Sequence, residues 1–131
     1  MNIRDAQPCD EESIRLLLGY YGLQYEGLEG FIVALQDGKM MGCARLDAAQ
    51  GEIHSIAVHP THRGHGIGSS LVKALEAKAC KGLYARTTAP GFFVKMGYAP
   101  LPDERKRAWS DCRQCDVFDK CTKTLMYRCL P

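Results

Sequence analysis

A strand, a glycine-rich turn and a helix follow one another without interruption over residues 51–72, GEIHSIAVHPTHRGHGIGSSLV. The run over residues 52–58 is rich in Ile and Val and alternates in polarity, which is typical of a strand that ends before Pro60. After the glycines, apolar residues recur at helical spacing at Leu71, Val72, Leu75 and Ala79. Gly82 is the predicted C-terminal stop of this helix.

This arrangement predicts a binding site for an anionic group. The glycines let the backbone approach a ligand closely, and the first-turn N–H groups and dipole of the helix favour a phosphate. Arg63 adds a guanidinium suited to phosphate oxygens. A P-loop is excluded because no Lys-Ser/Thr pair follows the glycines, and their spacing differs from the G-x-G-x-x-G of dinucleotide folds.

The pattern R/Q-x-x-G-x-G/A is met by Arg63, Gly66 and Gly68. Together with the preceding EIHSIAVHP and the later GFFVKMGY, it closely resembles the acetyl-CoA signature of the GNAT superfamily of N-acetyltransferases. The resemblance covers residues 1–100 and, more loosely, the last strand. It implies an α/β (α+β) fold with a mixed, mostly antiparallel twisted sheet and helices on both faces. The acetyl-CoA cleft is then expected between two central parallel strands.

The resemblance also implies roles for individual residues. The Val58 N–H would polarise the thioester carbonyl as charge develops on its oxygen, and the strand edge before it would pair with the pantetheine arm. The turn would hold the pyrophosphate with its backbone amides. The implied cofactor-binding set is Ile56, Ala57, Val58, Arg63, Gly64, His65, Gly66, Ile67, Gly68, Ser69 and Phe93.

Two residues are candidates for the base that takes a proton from the attacking amine. Side chains alternate along a strand, so Glu52 and His54 are predicted to share one face with Ile56 and Val58, about 7 Å apart. Glu52 falls at the position of the glutamate base in histone-acetylating members, and His54 at that of a histidine in arylalkylamine-acetylating members. We expect Glu52 or His54 to be the base, with Glu52 slightly favoured.

The chain departs from the family at the acid that reprotonates the leaving thiolate. Many members carry F-Y-x-x-x-G-F/Y, whereas here Phe93 stands at the tyrosine position. Either another group serves, with Tyr84, Tyr20 and Tyr21 candidates by type, or water does. The ordinary pKa of a thiol is about 8.5, so CoA can also depart without a dedicated acid.

The remaining elements follow from local patterns. Asp10 or Ser13 is expected to cap a first helix that buries Ile14, Leu17 and Leu18. Asp37-Gly38 between two apolar runs predicts a hairpin. A strand at residues 83–88 is expected to lie parallel to residues 52–58, and a short helix to open at Pro90 and end at Gly97.

The acceptor site is expected to involve residues 19–30, which in the GNAT fold usually shape the acceptor pocket; a plain surface loop is the alternative. Tyr20 and Tyr21 lie in this segment. Arg45 and Arg86, on strands flanking the expected site, are candidate clamps for the carboxylates of an amino acid, or alternatively solvated side chains.

Seven cysteines are present, an odd number that argues against a disulfide framework. Cys9, Cys43 and Cys80 are expected in the core. Cys112, Cys115 and Cys121 form a C-x2-C-x5-C insertion within residues 109–123, for which a zinc site, a redox pair and packed reduced thiols are the alternatives. This tail resembles that of short bacterial GNAT proteins of the N-acetylglutamate synthase type, although Thr122 and Lys123 replace their commonly acidic residues.

Composition bounds the remaining alternatives. At 131 residues the chain is expected to form a single domain. The net charge of +2 gives no support to nucleic-acid binding, and no apolar run is long enough to span a bilayer. A polar N-terminus without a signal peptide predicts a cytoplasmic protein. A homodimer is a family expectation.

The function expected from the residues and the resemblance is acetyl transfer from acetyl-CoA to the amine of a small molecule, such as the amino acid glutamate, by direct attack. The alternatives are a protein or peptide N-acetyltransferase and a catalytically inactive domain that senses acetyl-CoA. The intact glycine turn with Glu52 and His54 favours an enzyme, whereas Phe93 slightly favours the sensor.

Overall fold

The structure is a computed structural model, and it describes residues 1–79, 81–115 and 121–130. Their contacts divide the chain into two compact units, Met1–Cys80 and Lys81–Pro131, which are described separately. The first unit contains β1 (Asn2–Asp5), α1 (Glu11–Tyr20), β2 (Phe31–Gln36), β3 (Lys39–Asp47), β4 (Glu52–Val58) and α2 (Ile67–Lys78). A single domain over residues 1–131 stays a prediction.

The strands of the first unit pair antiparallel in chain order, β1 with β2, β2 with β3 and β3 with β4. Asp37 and Gly38 both have positive φ angles, 53° and 76°, as a two-residue turn with the right twist for a hairpin requires. The predicted hairpin is therefore confirmed. β4 also has the predicted bounds, from Glu52 to Val58.

One part of the core of the first unit lies where α1 packs on the sheet. Three α1 residues, Ile14, Leu17 and Leu18, are buried as predicted. They form one cluster with buried residues of β2, β3 and β4, namely Phe31, Val33, Cys43 and Ala57. Burial raises the pKa of the Cys43 thiol to about 12, so this cysteine stays protonated. Cys9 is exposed, and its expected place in the core was wrong; Cys80 lies outside the described residues.

Asp10 precedes α1 but does not cap it through its side chain. The carboxylate instead accepts hydrogen bonds from the Arg4 guanidinium at 2.7 and 3.1 Å and from the Gln7 N–H at 2.7 Å. The predicted capping bond was therefore wrong, because a cation on β1 competes for the same oxygens. The Arg4 bond holds the pKa of Asp10 below its usual value, although burial opposes it.

The second unit contains β5 (Gly82–Thr87), α3 (Pro90–Lys95), β6 (Ala99–Leu101), α4 (Ser110–Arg113) and β7 (Thr124–Cys129). β7 pairs antiparallel with both β5 and β6. α3 opens at Pro90 as predicted, and Gly97 follows it with a φ angle of 94°. The short helix α4 lies in the cysteine-bearing insertion.

Gly82 does not stop α2, which ends at Lys78, and that prediction was wrong. Gly82 begins β5, where a Cβ atom would come within 2.5 Å of the Tyr127 hydroxyl and 2.7 Å of the Arg128 carbonyl oxygen. The glycine is needed for the close approach of two strands, and not as a left-handed residue that ends a helix.

The fold class is the expected one, a mixed α/β chain whose pairings within each unit are antiparallel. The parallel pairing of β4 with β5 and the cleft between them stay predictions. Among the described residues, no helix has the length and apolar character needed to cross a membrane.

We predict that Asp10→Asn lowers the free energy of unfolding by about 1 kcal/mol at pH 7, since the carboxylate holds both a cation and a backbone N–H. The folded pKa of Asp10 is depressed, so its contribution is present above the unfolded pKa of about 3.9 and is lost as pH falls through the lower folded pKa. Urea unfolding at several pH values should show the difference from wild type shrinking below about pH 4. Asp37→Asn in the exposed hairpin is the control, and an equal effect of both variants would contradict the prediction.

Candidate cofactor and acetyl-transfer site

The turn between β4 and α2 reverses the chain with two left-handed glycines. His59 leaves β4 with its N–H donated to the Met41 carbonyl at 2.7 Å. A 3-10 turn at Pro60–His62 follows, and Gly64 and Gly66 then have φ angles of 82° and 77°. Such angles favour glycine strongly, which explains these residues in the predicted turn.

The N-terminus of α2 begins directly after this turn. Gly66 is the N-cap residue, and its carbonyl accepts the first helical hydrogen bond from the Ser70 N–H at 3.1 Å. The N–H groups of the first turn, on Ile67, Gly68 and Ser69, have no acceptor within the helix and lie at its positive end. The local geometry therefore fits the anionic group predicted from the sequence.

Gly42 on β3 lets α2 lie close to the sheet. A Cβ atom at Gly42 would come 3.0 Å from the Ala57 carbonyl oxygen, 3.1 Å from Leu71 Cδ1 and 3.3 Å from Ile67 Cγ2. Ile67 and Leu71 are buried beneath the helix. Two strands and the first two turns of α2 are thus in contact at one glycine.

The pairing of β3 with β4 is irregular at His54. Arg45 lies opposite Ser55 and Leu46 opposite Ile53, so His54 is passed over and β4 carries a bulge. A bulge changes where side chains point, and strict alternation cannot be carried through it from Glu52 to His54. Glu52 is 2% exposed, whereas His54 is half-buried with Nδ1 3.3 Å from the Ser55 hydroxyl.

Tyr21 contacts this turn from the C-terminal end of α1. Its hydroxyl donates a hydrogen bond to the Val58 carbonyl oxygen at 2.6 Å. The Arg63 guanidinium lies over the same ring, with Cζ 6.0 Å from its centroid. The structure therefore brings Tyr21, Val58 and Arg63 together, and the roles predicted for them in a common site stay predictions.

The other two acceptor-side candidates of the first unit lie around residues 19–30. Tyr20 is 67% exposed, and its ring packs edge-on against Tyr21. Arg45 donates from Nε to the Glu29 carbonyl at 3.1 Å and lies 3.7 Å from a Glu26 carboxylate oxygen. Arg45 therefore holds the segment after α1 against β3.

Phe93 lies in the core of the second unit. It is 3% exposed, and its ring contacts Phe92 and Tyr98 edge-on. Tyr84, an acid candidate by type, packs against the rings of Trp109 and Tyr127.

Arg86 already binds a carboxylate of its own chain. Its Nη1 lies 2.8 and 2.9 Å from the two oxygens of Asp111 and 3.1 Å from Cys112 Sγ, and its guanidinium stacks over Trp109. Burial alone would raise the pKa of Asp111, but the Arg86 bonds hold it below its usual value. The structure thus shows Arg86 fastening the cysteine-bearing insertion to β5.

The cysteines of the insertion are separate thiols. Cys112 and Cys121 are half-buried, and Cys115 is exposed. Within residues 1–79, 81–115 and 121–130, no group of three His, Cys, Asp or Glu side chains is placed to hold a metal ion. The zinc prediction therefore gains no support from the described part of the chain.

Three contacts of this region were missed by sequence reasoning. A glycine inside a strand marks a close backbone approach, so Gly42 carried a readable signal. The Tyr21–Val58 bond joins residues 37 positions apart, and the Arg86–Asp111 pair residues 25 apart. No local pattern marks such partners.

Residues 27–100, more than half of the chain, match the family described as "Acetyltransferase (GNAT) domain". The chain therefore belongs to the GNAT family of acetyltransferases, and the predictions of the superfamily and of an N-acetyltransferase are confirmed.

Similar proteins agree with this assignment. An uncharacterised N-acetyltransferase of Chlorobaculum tepidum is 29% identical, with 98% of this chain and 96% of that protein covered. An amino-acid acetyltransferase of Azotobacter vinelandii is 30% identical over 87% of this chain, which spans only 29% of that protein.

Solved structures share the fold. A Mycobacterium tuberculosis protein in complex with CoA has a TM-score of 0.77 at 22% identity, with both chains covered completely. The N-acetylglutamate synthase of Neisseria gonorrhoeae, complexed with coenzyme A and N-acetyl-glutamate, also gives 0.77 at 22% identity; 99% of this chain and 35% of that chain are covered.

We predict opposite effects for two Gly→Ala substitutions. Gly42→Ala should lower the free energy of unfolding by about 1–3 kcal/mol, because the new methyl group overpacks the contact with α2. Gly19→Ala, in α1 with open space around it, should raise stability by up to about 1 kcal/mol through helix propensity. Urea unfolding measures both, and a neutral Gly42→Ala would show that α2 does not depend on this contact.

Proposed function

We propose that the protein transfers an acetyl group from acetyl-CoA to the amine of a small molecule, an amino acid such as glutamate being the first candidate, by direct attack. The turn from β4 into α2 carries this proposal, because its left-handed Gly64 and Gly66 open the first-turn N–H groups of a helix toward an anion. The CoA complexes of similar structures support the cofactor.

The residues present fit acetyl-CoA, which when bound supplies an activated acetyl thioester. The Ile56–Val58 edge of β4, including Ala57, would bind its pantetheine arm, and the amides of residues 63–69 with the Arg63 side chain would bind its pyrophosphate. In this proposal the Val58 N–H donates to the thioester oxygen as negative charge develops there. Phe93, buried in the second unit, would act through the packing of α3 and not by proton transfer.

Glu52 and His54 are the proposed bases. Glu52 is almost wholly buried at the start of β4, and His54 stands at the bulge that interrupts the strand. Either group could take a proton from the acceptor's ammonium, directly or through water, so that the neutral amine can attack the thioester carbon. Because the bulge interrupts the alternation of side chains along β4, Glu52 and His54 are not required to share one face, and each residue has to be tested alone.

The acceptor proposal draws on similar proteins and on Arg45. Relatives named amino-acid acetyltransferases are about 30% identical, and N-acetyl-glutamate is bound in one similar structure. Arg45 holds the acceptor-side segment through Glu29 and Glu26, and its contact with Glu26 is long enough, at 3.7 Å, to be exchanged for a substrate carboxylate. Tyr20 and Tyr21 would flank the same side. Arg86 is less suited, since Asp111 already occupies its guanidinium.

Product detection by mass spectrometry tests this function. Purified protein and acetyl-CoA would be incubated with pools of amino acids, polyamines and arylalkylamines and, separately, with a pool of peptides, with CoA release followed in parallel. We expect one acetylated amino acid, with glutamate tested first. Acetylation of added peptides alone would favour a protein acetyltransferase. Tight CoA binding with no product from any pool would favour a sensor, and both outcomes would overturn the small-molecule proposal.

We predict that removing the base lowers turnover without weakening cofactor binding. Glu52→Gln or His54→Gln should reduce kcat by about 10²–10⁴-fold in the variant that loses the base, while the CoA dissociation constant stays within about two-fold. Glu12→Gln, at an exposed position of α1, is the matched control. If neither variant reduces kcat more than the control does, both residues are excluded as the base.

A further inference from the structure

The side chain of Tyr21 fixes the peptide group at which β4 ends. Its hydroxyl donates to the Val58 carbonyl oxygen at 2.6 Å, and the N–H of the same peptide group, on His59, donates to the Met41 carbonyl at 2.7 Å. The peptide plane is therefore held at both its oxygen and its nitrogen. The exit direction of the chain into the glycine turn depends on this plane.

Tyr21 is itself held rigidly at the end of α1. Gly22 has a φ angle of 69°, its N–H donates to the Gly19 carbonyl at 3.1 Å, and the Leu23 N–H donates to the Leu18 carbonyl at 2.9 Å. These two bonds and the left-handed glycine form a Schellman motif, with Tyr21 as the C-cap residue. The position of the hydroxyl is thus set by a helix end and not by a loose loop.

The ring of Tyr21 also contacts the middle of the turn. Arg63 Cζ lies 6.0 Å from the ring centroid, within the range of a cation–π contact. Tyr21 therefore contacts the turn between β4 and α2 at two places, at Val58 through its hydroxyl and at Arg63 through its ring. Four residues of the chain lie between Val58 and Arg63, so one side chain spans the first part of the turn.

We propose that Tyr21 is a positioning residue for acetyl-CoA: it aligns the end of β4 and Arg63 before the cofactor binds. The inference rests on the proposed function, since it concerns the same turn. The role differs from that of an acid for the leaving thiolate, because the hydroxyl proton is donated to the Val58 oxygen. It also differs from direct acceptor binding, which the sequence predicted for Tyr21.

Tyr21→Phe is the test, because it removes the hydroxyl and keeps the ring beneath Arg63. We expect the CoA dissociation constant, from titration calorimetry, and the KM for acetyl-CoA to rise about five-fold, the effect of losing one partly buried hydrogen bond. The KM for the amine and the shape of the pH–rate profile should stay unchanged. Calorimetry with CoA needs neither an acceptor nor turnover.

Tyr25→Phe is the matched control. The Tyr25 hydroxyl donates a hydrogen bond of the same length, 2.6 Å, but to the Glu11 carboxylate at the start of α1. This variant loses a tyrosine hydrogen bond of the same length in the same segment, an exposed one that does not involve the end of β4. We expect its CoA dissociation constant to stay within about two-fold of wild type.

A ligand-free measurement separates this inference from the proposed function. Amide hydrogen exchange of residues 59–66 should be faster in Tyr21→Phe than in wild type or Tyr25→Phe, whether or not any acceptor is acetylated. Equal exchange and equal CoA affinity in the two variants would overturn the inference. A loss of kcat with unchanged CoA affinity and a missing alkaline limb would also overturn it, by assigning Tyr21 as the acid. Faster exchange in Tyr21→Phe, together with a wild type that binds no CoA, would instead overturn the proposed function and leave the alignment of the turn by Tyr21 standing.

Discussion

The contact of α2 with β3 at Gly42 is the constraint on which the site of the first unit depends. The helix is buried there through Ile67 and Leu71, directly after its N-cap at Gly66. Because packed interiors have little free volume, a larger side chain at Gly42 would displace the first turn of α2 as a body. The N–H groups that the helix offers to an anion would move with it. The geometry of the turn therefore depends on the packing of the core at Gly42.

Local patterns predicted the elements whose causes are local. The strand over residues 52–58 and the Asp37-Gly38 turn need only near neighbours, and the bounds of the strand and the conformation of the turn agree with the structure. The end of α2 was misplaced because Gly82 is required by strand pairing with β7, and not by the helix before it. Asp10 likewise binds Arg4 on β1 in preference to capping α1. A residue's type shows which bonds it can form, but the competing partner comes from elsewhere in the chain.

The same limit applies to the candidate site. The glycine pattern located the turn, since few residues other than glycine adopt its positive φ angles. Whether the Glu52 and His54 side chains share one face of β4 could not be predicted, because the bulge in β4 depends on how that strand pairs with β3. Arg86 was a candidate carboxylate clamp by type, with a solvated side chain as the alternative, and it binds the carboxylate of Asp111. The sequence therefore predicted the kind of group that a side chain binds better than it predicted which residue supplies that group.

The burial of Trp109 has a consequence for how the protein can be observed in solution. Trp109 is the chain's single tryptophan, 5% exposed, and its ring contacts both the Tyr84 ring and the Arg86 guanidinium. Arg86 also contacts Cys112, so any covalent change at that sulfur alters the surroundings of the indole. Intrinsic fluorescence of this protein is thus an optical reporter of the cysteine-bearing insertion, and alkylation of Cys112 can be followed without a label.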